Sequence, residues 1–296
     1  MTDRRTFIKQ AGLLATTTLV APSFLLKKKY KLGLQLYSIR GPLARDLKGT
    51  LKQVAAFGYE EVEIYGFSDS KYYGLEPSAF KSLLDDNNIT TSSGHYDLNK
   101  FMLPGSTDGQ MFKYVDECIE GAHTLKQKYI VWPWLDPDSR TIDKFKIVAD
   151  KLNRIGERLK PANLKVAYHN HDFEFIEHNG QIGYDVILNE TDPSLVKLQA
   201  DLYWLSNASK LKPHDYFEQY PGRYPMWHLK DMSKQDRNLH EIMGEGVIDF
   251  KSILKDADVS GVEHMFVEQG NNYHPDPLDN VGKSALYVKN VLFKEI

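Results

Sequence analysis

A single cysteine, Cys118, occurs in 296 residues, so no disulfide can form within the chain. It falls in an apolar helical spacing with Tyr114, Val115 and Ile119, which gives it a packing role. No G-x-G-x-x-G follows a strand-like run, and neither a P-loop nor a G-x-S-x-G elbow occurs. Nucleotide cofactors and serine-based hydrolysis therefore have no basis in the sequence. The positive excess that binds a phosphate backbone is also missing. Net charge is −3, and the first 26 residues carry +2 from Arg4, Arg5 and Lys9 against Asp3, leaving −5 on the remainder. No nucleic-acid partner is expected. No low-complexity linker divides the chain, and hydrophobic residues at 42% suffice for one large core.

The N-terminus reads Asp3-Arg4-Arg5-Thr6-Phe7-Ile8-Lys9, followed by an Ala-, Leu- and Thr-rich stretch from Ala11 to Leu26. Paired arginines ahead of a short apolar region have the form of a twin-arginine export signal. The alternative is a plain amphipathic extension. The stretch is too short and too weakly apolar to span a bilayer, and no cysteine near it could carry a lipid anchor. Residues 1–26 are read as a leader and 27–296 as one folded domain, exported to the periplasm without stable membrane insertion. No clear A-x-A site marks a cleavage point.

Strand-like and helix-like segments alternate eight times. The strands are expected at 31–39, 59–65, 89–95, 129–132, 164–169, 195–201, 225–229 and 264–268. The helices are expected at 43–57, 77–87, 108–126, 141–159, 184–189, 213–220, 250–255 and 279–293. Alternation implies a parallel sheet, and eight rounds imply closure into a single-domain α/β fold, the (β/α)8 TIM barrel. An open doubly wound sheet competes. It does not explain why ligand-type residues end strands in both halves of the chain.

Four successive strands end in such residues: VAYH at His169, LQAD at Asp201, PMWH at His228 and MFVE at Glu268. The C-terminal ends of barrel strands converge on one face, where the chemistry of this fold sits. Each of these residues follows an apolar run. The structural alternative for any one of them is a satisfied core polar group. Three or four together would bury uncompensated charge unless a cation joined them. Two imidazoles and two carboxylates form a mixed nitrogen and oxygen site for one divalent ion, and Mn, Zn, Co and Mg all fit that donor set. His171 lies two residues beyond His169 and would face the same way. One of the pair binds metal and the other substrate, with His169 the preferred ligand.

Several segments together resemble the xylose isomerase-like TIM barrels, often described as sugar phosphate isomerases/epimerases. They are EVEIYG at 61–66, YHNHDFEF at 168–175, QADLYW at 199–204, MWHLKDM at 226–232, GEGVIDF at 244–250 and FVEQG at 266–270. The resemblance runs from Lys31 to the C-terminus. It implies a metal held by carboxylates and histidine from strands five to eight, and Asp201, His228 and Glu268 match in kind. The fifth-strand ligand of the epimerases is usually Glu, and here that position is His169. Glu174 stands too far along to replace it. A mechanism with two carboxylates is thereby put in doubt, and lyase, dehydratase or hydrolase-like chemistry comes into play.

Other polar and aromatic residues cluster near the expected mouth. Glu63 on strand two should point inward, to bind a substrate hydroxyl, orient a ligand or form an internal salt bridge. His95 ends strand three and is a candidate for proton transfer. Lys230 faces the same way as His228 and could meet a hydroxyl or an enolate oxygen, unless it is a solvated loop residue. Trp132, Trp134, Trp204 and Tyr37 lie at or past strand ends, where aromatic faces line sugar pockets or plug a barrel. Glu245 sits between Gly244 and Gly246, as a substrate contact or a simple turn. His240 and the remaining histidines are assigned to surface or packing roles.

The resemblance implies an isomerase or epimerase acting on a sugar or keto-sugar. It would abstract a proton next to a carbonyl while the metal stabilises the enediolate, with Glu268 as base and His171 or His95 as acid. A lyase or dehydratase on 3-keto-glycosides or cyclic polyols is the second reading. An apurinic endonuclease of related fold and a catalytically dead carbohydrate-binding barrel follow. The partner is a small carbohydrate. An exported enzyme would meet unphosphorylated sugars more often than phosphorylated ones.

Overall fold

The computed structural model describes residues 30–296, so the expected leader lies outside the described residues. Eight parallel strands form one sheet: β1 (Leu32–Gln35), β2 (Glu61–Glu63), β3 (Ser93–His95), β4 (Tyr129–Trp132), β5 (Lys165–His169), β6 (Val196–Asp201), β7 (Met226–Leu229) and β8 (His264–Val267). Their order is β2-β1-β8-β7-β6-β5-β4-β3. The two ends of that list meet through bridges Glu61↔Thr90 and Ile64↔Gly94, and His95 N–H donates to the Ile64 carbonyl at 2.8 Å. This junction closes the sheet into the expected TIM barrel.

The helices form because their apolar residues recur at helical spacing. In Ile142–Leu159, Phe145, Val148, Ala149, Leu152, Ile155 and Leu159 share one buried face, and Thr141 caps the N-terminus by accepting from Lys144 N. Asp108–Leu125 starts with a capping box between Thr107 and Gln110 and buries Cys118. Among the described residues no helix is long and apolar enough to cross a membrane.

Three differences from the expected boundaries matter for the site. The first strand stops at Gln35, and Leu36–Ile39 turns as a 3-10 helix, which carries Tyr37 to the mouth. The first helix is broken at Asp46, whose side chain caps Leu47–Ala56 by accepting from Gly49 N. A helix absent from the sequence reading, Leu202–Ala208, begins immediately after β6. Its cap is Asp201, and an expected metal ligand is hard to read as a helix start from sequence.

Strand packing is tight where β1 meets β8. A Cβ on Gly33 would lie 2.5 Å from the Met265 carbonyl oxygen and 2.6 Å from Phe266 Cδ1. Gly33→Ala should therefore destabilise the barrel by about 1–3 kcal/mol. A chemical-denaturation midpoint equal to that of wild type would contradict this packing.

Candidate active site

The C-terminal ends of β5 to β8 bring His169, Asp201, His228 and Glu268 together. One ligand-type atom from each lies within 4.8 Å of the others, and all four residues are buried. Register explains the convergence: Asp201 pairs with His228, and His228 with Phe266, two residues before Glu268. Asp201 and His228 are held so that one atom of each faces the common centre. Asp201 Oδ1 accepts from Tyr203 N at 3.0 Å and Trp204 N at 3.1 Å, which leaves Oδ2 turned inward. His228 Nδ1 lies 2.7 Å from Glu268 Oε2 and 3.9 Å from Asp201 Oδ2. His169 Nε2 lies 3.9 Å from Asp201 Oδ2.

Below this cluster the other nitrogen of His228, Nε2, meets Glu63 Oε2 at 2.6 Å. Glu63 is fully buried and also accepts from Gln35 Nε2 at 2.7 Å, Ser93 Oγ at 2.7 Å and Gln199 Nε2 at 2.6 Å, with His95 Nε2 at 3.1 Å. Burial alone would raise its pKa. The charges and hydrogen bonds of His95 and His228 outweigh that and hold the carboxylate well below its ordinary range. Glu63 is thus sealed beneath the site and unavailable to a substrate hydroxyl. It orients a ligand-type histidine, one of the roles the sequence left open.

Lys230 is 2% exposed, not solvated. Its ammonium bridges Asp201 Oδ2 at 2.6 Å and Glu268 Oε2 at 2.8 Å. Burial opposes its charge, but the two carboxylates keep it protonated. Burial likewise opposes charge on His228, and Glu63 and Glu268 raise its pKa to about 9. Asp201 and Glu268 face the Lys230 ammonium and Glu63 faces His228, so three carboxylates (−3) meet Lys230 (+1) and a protonated His228 (+1), a formal balance of −1 that becomes −2 when His228 gives up its proton to a metal. The fit to a dication rests on these observations: an inward Asp201 Oδ2 without an aligned hydrogen bond, a histidine tethered from behind, and a cation already lying against the carboxylates. Mixed nitrogen and oxygen donors of this kind suit Mn, Zn or Co, and also Mg.

A cavity of about 600 Å³ opens above the cluster. Its inner part is polar, with His95, His169, His171, Lys230 and Glu268. Its outer wall is aromatic, with Tyr37, Tyr65, Trp134 and Trp204. His171 packs edge-on to Trp134, ring centroids 4.9 Å apart. Burial and the Lys230 charge push the His171 pKa down, which keeps the ring neutral. His95 also reaches the cavity, but its Nε2 is committed to Gln199 Oε1 at 2.8 Å, so Nδ1 alone could exchange a proton there.

Two expected contacts are not at the cavity. Trp132 is fully buried in the core, its Nε1 donating to the Trp134 carbonyl; the strand's alternation turns it away from the mouth, and Trp134 takes the wall position. Glu245 sits exposed on a turn. The flanking Gly244 and Gly246 amides donate to Asp231 Oδ2 at 3.0 and 3.1 Å, so the HLKD and GEG segments are joined through Asp231 and not through Glu245. A Cβ at position 246 would stand 2.2 Å from Asp231 Oδ1, which requires glycine there.

Conversely, His240, Tyr65, Asp97 and Asn271 line the cavity without having been singled out as contacts. Tyr65 ends the second expected strand, whereas Asp97 and Asn271 arrive on loops and His240 on a short hairpin, none of which carries a periodic signal. Gln35 and Gln199, the floor partners of Glu63, did leave one: each is an uncharged polar residue inside an apolar strand.

A family model described as xylose isomerase-like TIM barrel matches residues 51–291. The chain belongs to this family. A sugar phosphate isomerase/epimerase structure from Parabacteroides distasonis is similar at TM-score 0.77 and 24% identity, covering 90% of this chain and 99% of that one. A second such structure from that species has TM-score 0.75 and 27% identity, covering 90% of this chain and 96% of its own. Among curated proteins, inosose dehydratase of Geobacillus thermodenitrificans is 27% identical over 167 residues, 50% of this chain and 55% of the relative. Inosose dehydratase of Clostridium tetani is 28% identical over 189 residues, 57% of this chain and 62% of the relative. The chain spans about half the length of the curated relatives it matches.

Replacing Glu63 by Gln leaves an amide that cannot accept hydrogen bonds at both of its ends, so His228 loses its fixed orientation. Affinity for Zn²⁺ or Mn²⁺ in calorimetric titration should fall about 10–100-fold. Unchanged affinity would contradict the orienting role.

Glu174 anchors the loop after β5: Oε2 accepts from His171 N at 2.8 Å and Oε1 from Tyr168 Oη at 2.7 Å. Burial raises its pKa from 4.5 to about 8, against a smaller downward pull from the hydrogen bonds of Tyr168 and the His171 amide. Between those values the folded protein keeps a proton that the unfolded chain has released, so stability falls as pH rises. Glu174→Gln should flatten this dependence by at least about 1 kcal/mol between pH 5 and pH 8 in urea unfolding. An identical pH dependence in wild type and variant would contradict it.

Proposed function

We propose that the protein is a divalent-metal-dependent enzyme that removes a proton next to the carbonyl of a cyclic keto-polyol or keto-sugar, and that elimination of water or a glycosidic substituent follows. His169, Asp201, His228 and Glu268 would hold the ion. The bound dication would polarise the carbonyl and offset the charge that develops on its oxygen.

The observation that carries this reading is that one carboxylate joins the metal-type cluster to the cavity. Glu268 gives Oε2 to Lys230 and His228, while no described residue engages Oε1. Asp201 is closed off by its cap and by Lys230, and the other cavity carboxylate, Asp97, lies on the exposed mouth. Burial raises the Glu268 pKa, but Lys230 and His228 outweigh it and keep the group ionised, ready to accept a proton.

An epimerase needs a second group to return a proton to the opposite face. His171 stands there as a neutral ring and not as a loaded acid. Elimination needs no such partner. Glu268 takes the C–H proton, a C=C bond forms as the β C–O bond breaks, and the same carboxyl returns the proton to the departing oxygen. Lys230 sets positive charge beside that exchange.

The curated relatives are inosose dehydratases, and their chemistry is of this eliminating kind. Epimerisation or isomerisation is the second reading, favoured by the structural similarity at 27% identity to a sugar phosphate isomerase/epimerase. One related structure carries a zinc atom, which supports metal dependence. Tyr37, Tyr65, Trp134 and Trp204 offer ring faces to sugar C–H groups. Export by the Arg4-Arg5 leader belongs to the proposal and inclines it to unphosphorylated substrates.

The test is turnover in D₂O over 2-keto-myo-inositol and 3-keto-glucosides, with Mn²⁺, Zn²⁺ and Mg²⁺ supplied separately. The expected product is an unsaturated ketone, and Glu268→Gln should lower turnover by about 10²–10⁴-fold with the fold intact. A deuterated epimer without elimination would transfer the assignment to the second reading. Near-normal turnover in Glu268→Gln would remove Glu268 from the chemistry.

A further inference from the structure

We infer that His240 is a substrate contact of one fixed polarity: a neutral imidazole with its proton on Nε2, presented as a hydrogen-bond donor to a carbonyl or hydroxyl oxygen of the ligand. This deepens the function proposed above and rests on it for the identity of the ligand.

The backbone amide of Gly270 donates to His240 Nδ1 at 2.8 Å. A backbone N–H can only donate, so Nδ1 must present its lone pair, and the proton of the neutral ring must sit on Nε2. The contact is a close one. A Cβ on Gly270 would lie 3.1 Å from the His240 ring, and glycine leaves the space that lets ring and amide meet.

The residue is held along its length. Its own N–H donates to Asn271 Oδ1 at 2.8 Å, and its carbonyl accepts from Asn272 Nδ2 at 2.9 Å. Across a short hairpin it pairs with Met232, one residue beyond the Asp231 anchor. The ring meets Tyr203 edge-on, centroids 4.6 Å apart.

His240 is 5% exposed, yet it borders the cavity beside Lys230 and Glu268. No described residue takes Nε2, so that N–H is left to the cavity. Burial and the Lys230 ammonium push the ring's pKa down to about 3 against a smaller upward pull from Glu268, which agrees with a neutral ring.

The chemical consequence is a division of labour on one wall. Glu268 Oε1 can accept a proton. His240, with Nδ1 occupied and Nε2 protonated, can only donate a hydrogen bond and is not a proton carrier. A neutral imidazole in this state polarises a carbonyl or fixes a hydroxyl without surrendering its proton. The ligand it selects carries an oxygen acceptor at that point. An analogue deoxygenated there would leave the donor unpaired and bind less well.

Two measurements test this. Long-range ¹H–¹⁵N NMR of wild type at pH 7 should show His240 in the Nε2–H form; an Nδ1–H form or an imidazolium would overturn the inference. Zinc-loaded wild type, His240→Gln and His240→Phe are then titrated with 2-keto-myo-inositol. Gln keeps an N–H near the Nε2 position, whereas Phe keeps the packing on Tyr203 and loses the donor. Binding should weaken about tenfold or more in His240→Phe and much less in His240→Gln, with zinc affinity unchanged in both. Equal binding by wild type and His240→Phe would overturn the inference. Failure of wild type itself to bind would count against the proposed substrate class, and the NMR result alone would then uphold or overturn the assignment of His240.

Discussion

The buried carboxylate of Glu63 is the constraint on which the site depends. It is fully buried beneath the site and collects donors from β1, β3, β6 and β7 through Gln35, Ser93, Gln199 and His228. An isolated carboxylate there would be strongly disfavoured; surrounded by donors it stays ionised and becomes a fixed anion. That anion decides which nitrogen of His228 points down. The other nitrogen is thereby aimed at Asp201 and Glu268. Remove Glu63 and the imidazole has no reason to stand where a cation could use it.

A second layer sits on the first. Asp201 spends one oxygen on the start of the Leu202–Ala208 helix and keeps the other for the centre. Asp231 spends both of its oxygens on backbone amides of the loop that follows β7. These two carboxylates do different work from one another, although both stand at or just beyond the ends of apolar strands. The chemistry is positioned by the rigid strand ends, and the loops above them decide what enters.

Much of this was legible in the sequence. Eight alternations of period imply the barrel, and a ligand-type residue at the end of four successive strands implies the cluster. The strand pattern also placed Glu63 inward. What the pattern could not separate was a side chain that reaches the cavity from one that stops beneath it. Glu63 stops beneath because four neighbours from distant strands satisfy it, and pairing of that kind is invisible along the chain. Trp132 was expected at the mouth because it ends β4, but the alternation of the strand turns it into the core. His240 was overlooked because its place comes from a hairpin and from the Gly270 amide thirty residues on, neither of which has a period. Lys230 was expected to face the same way as His228, but its two carboxylate partners lie 29 and 38 positions away, so the ion pairs that bury it were not legible.

The central claim is spatial: His169, Asp201, His228 and Glu268 surround one dication, with Glu63 fixing His228 from below. Anomalous diffraction from crystals grown with Mn²⁺ or Zn²⁺ measures this most directly. The account predicts a single strong peak within coordination distance of His228 Nδ1, Asp201 Oδ2 and Glu268, with the Lys230 ammonium displaced from the carboxylates. A peak elsewhere in the barrel, or none at the metal concentration that supports turnover, would contradict it.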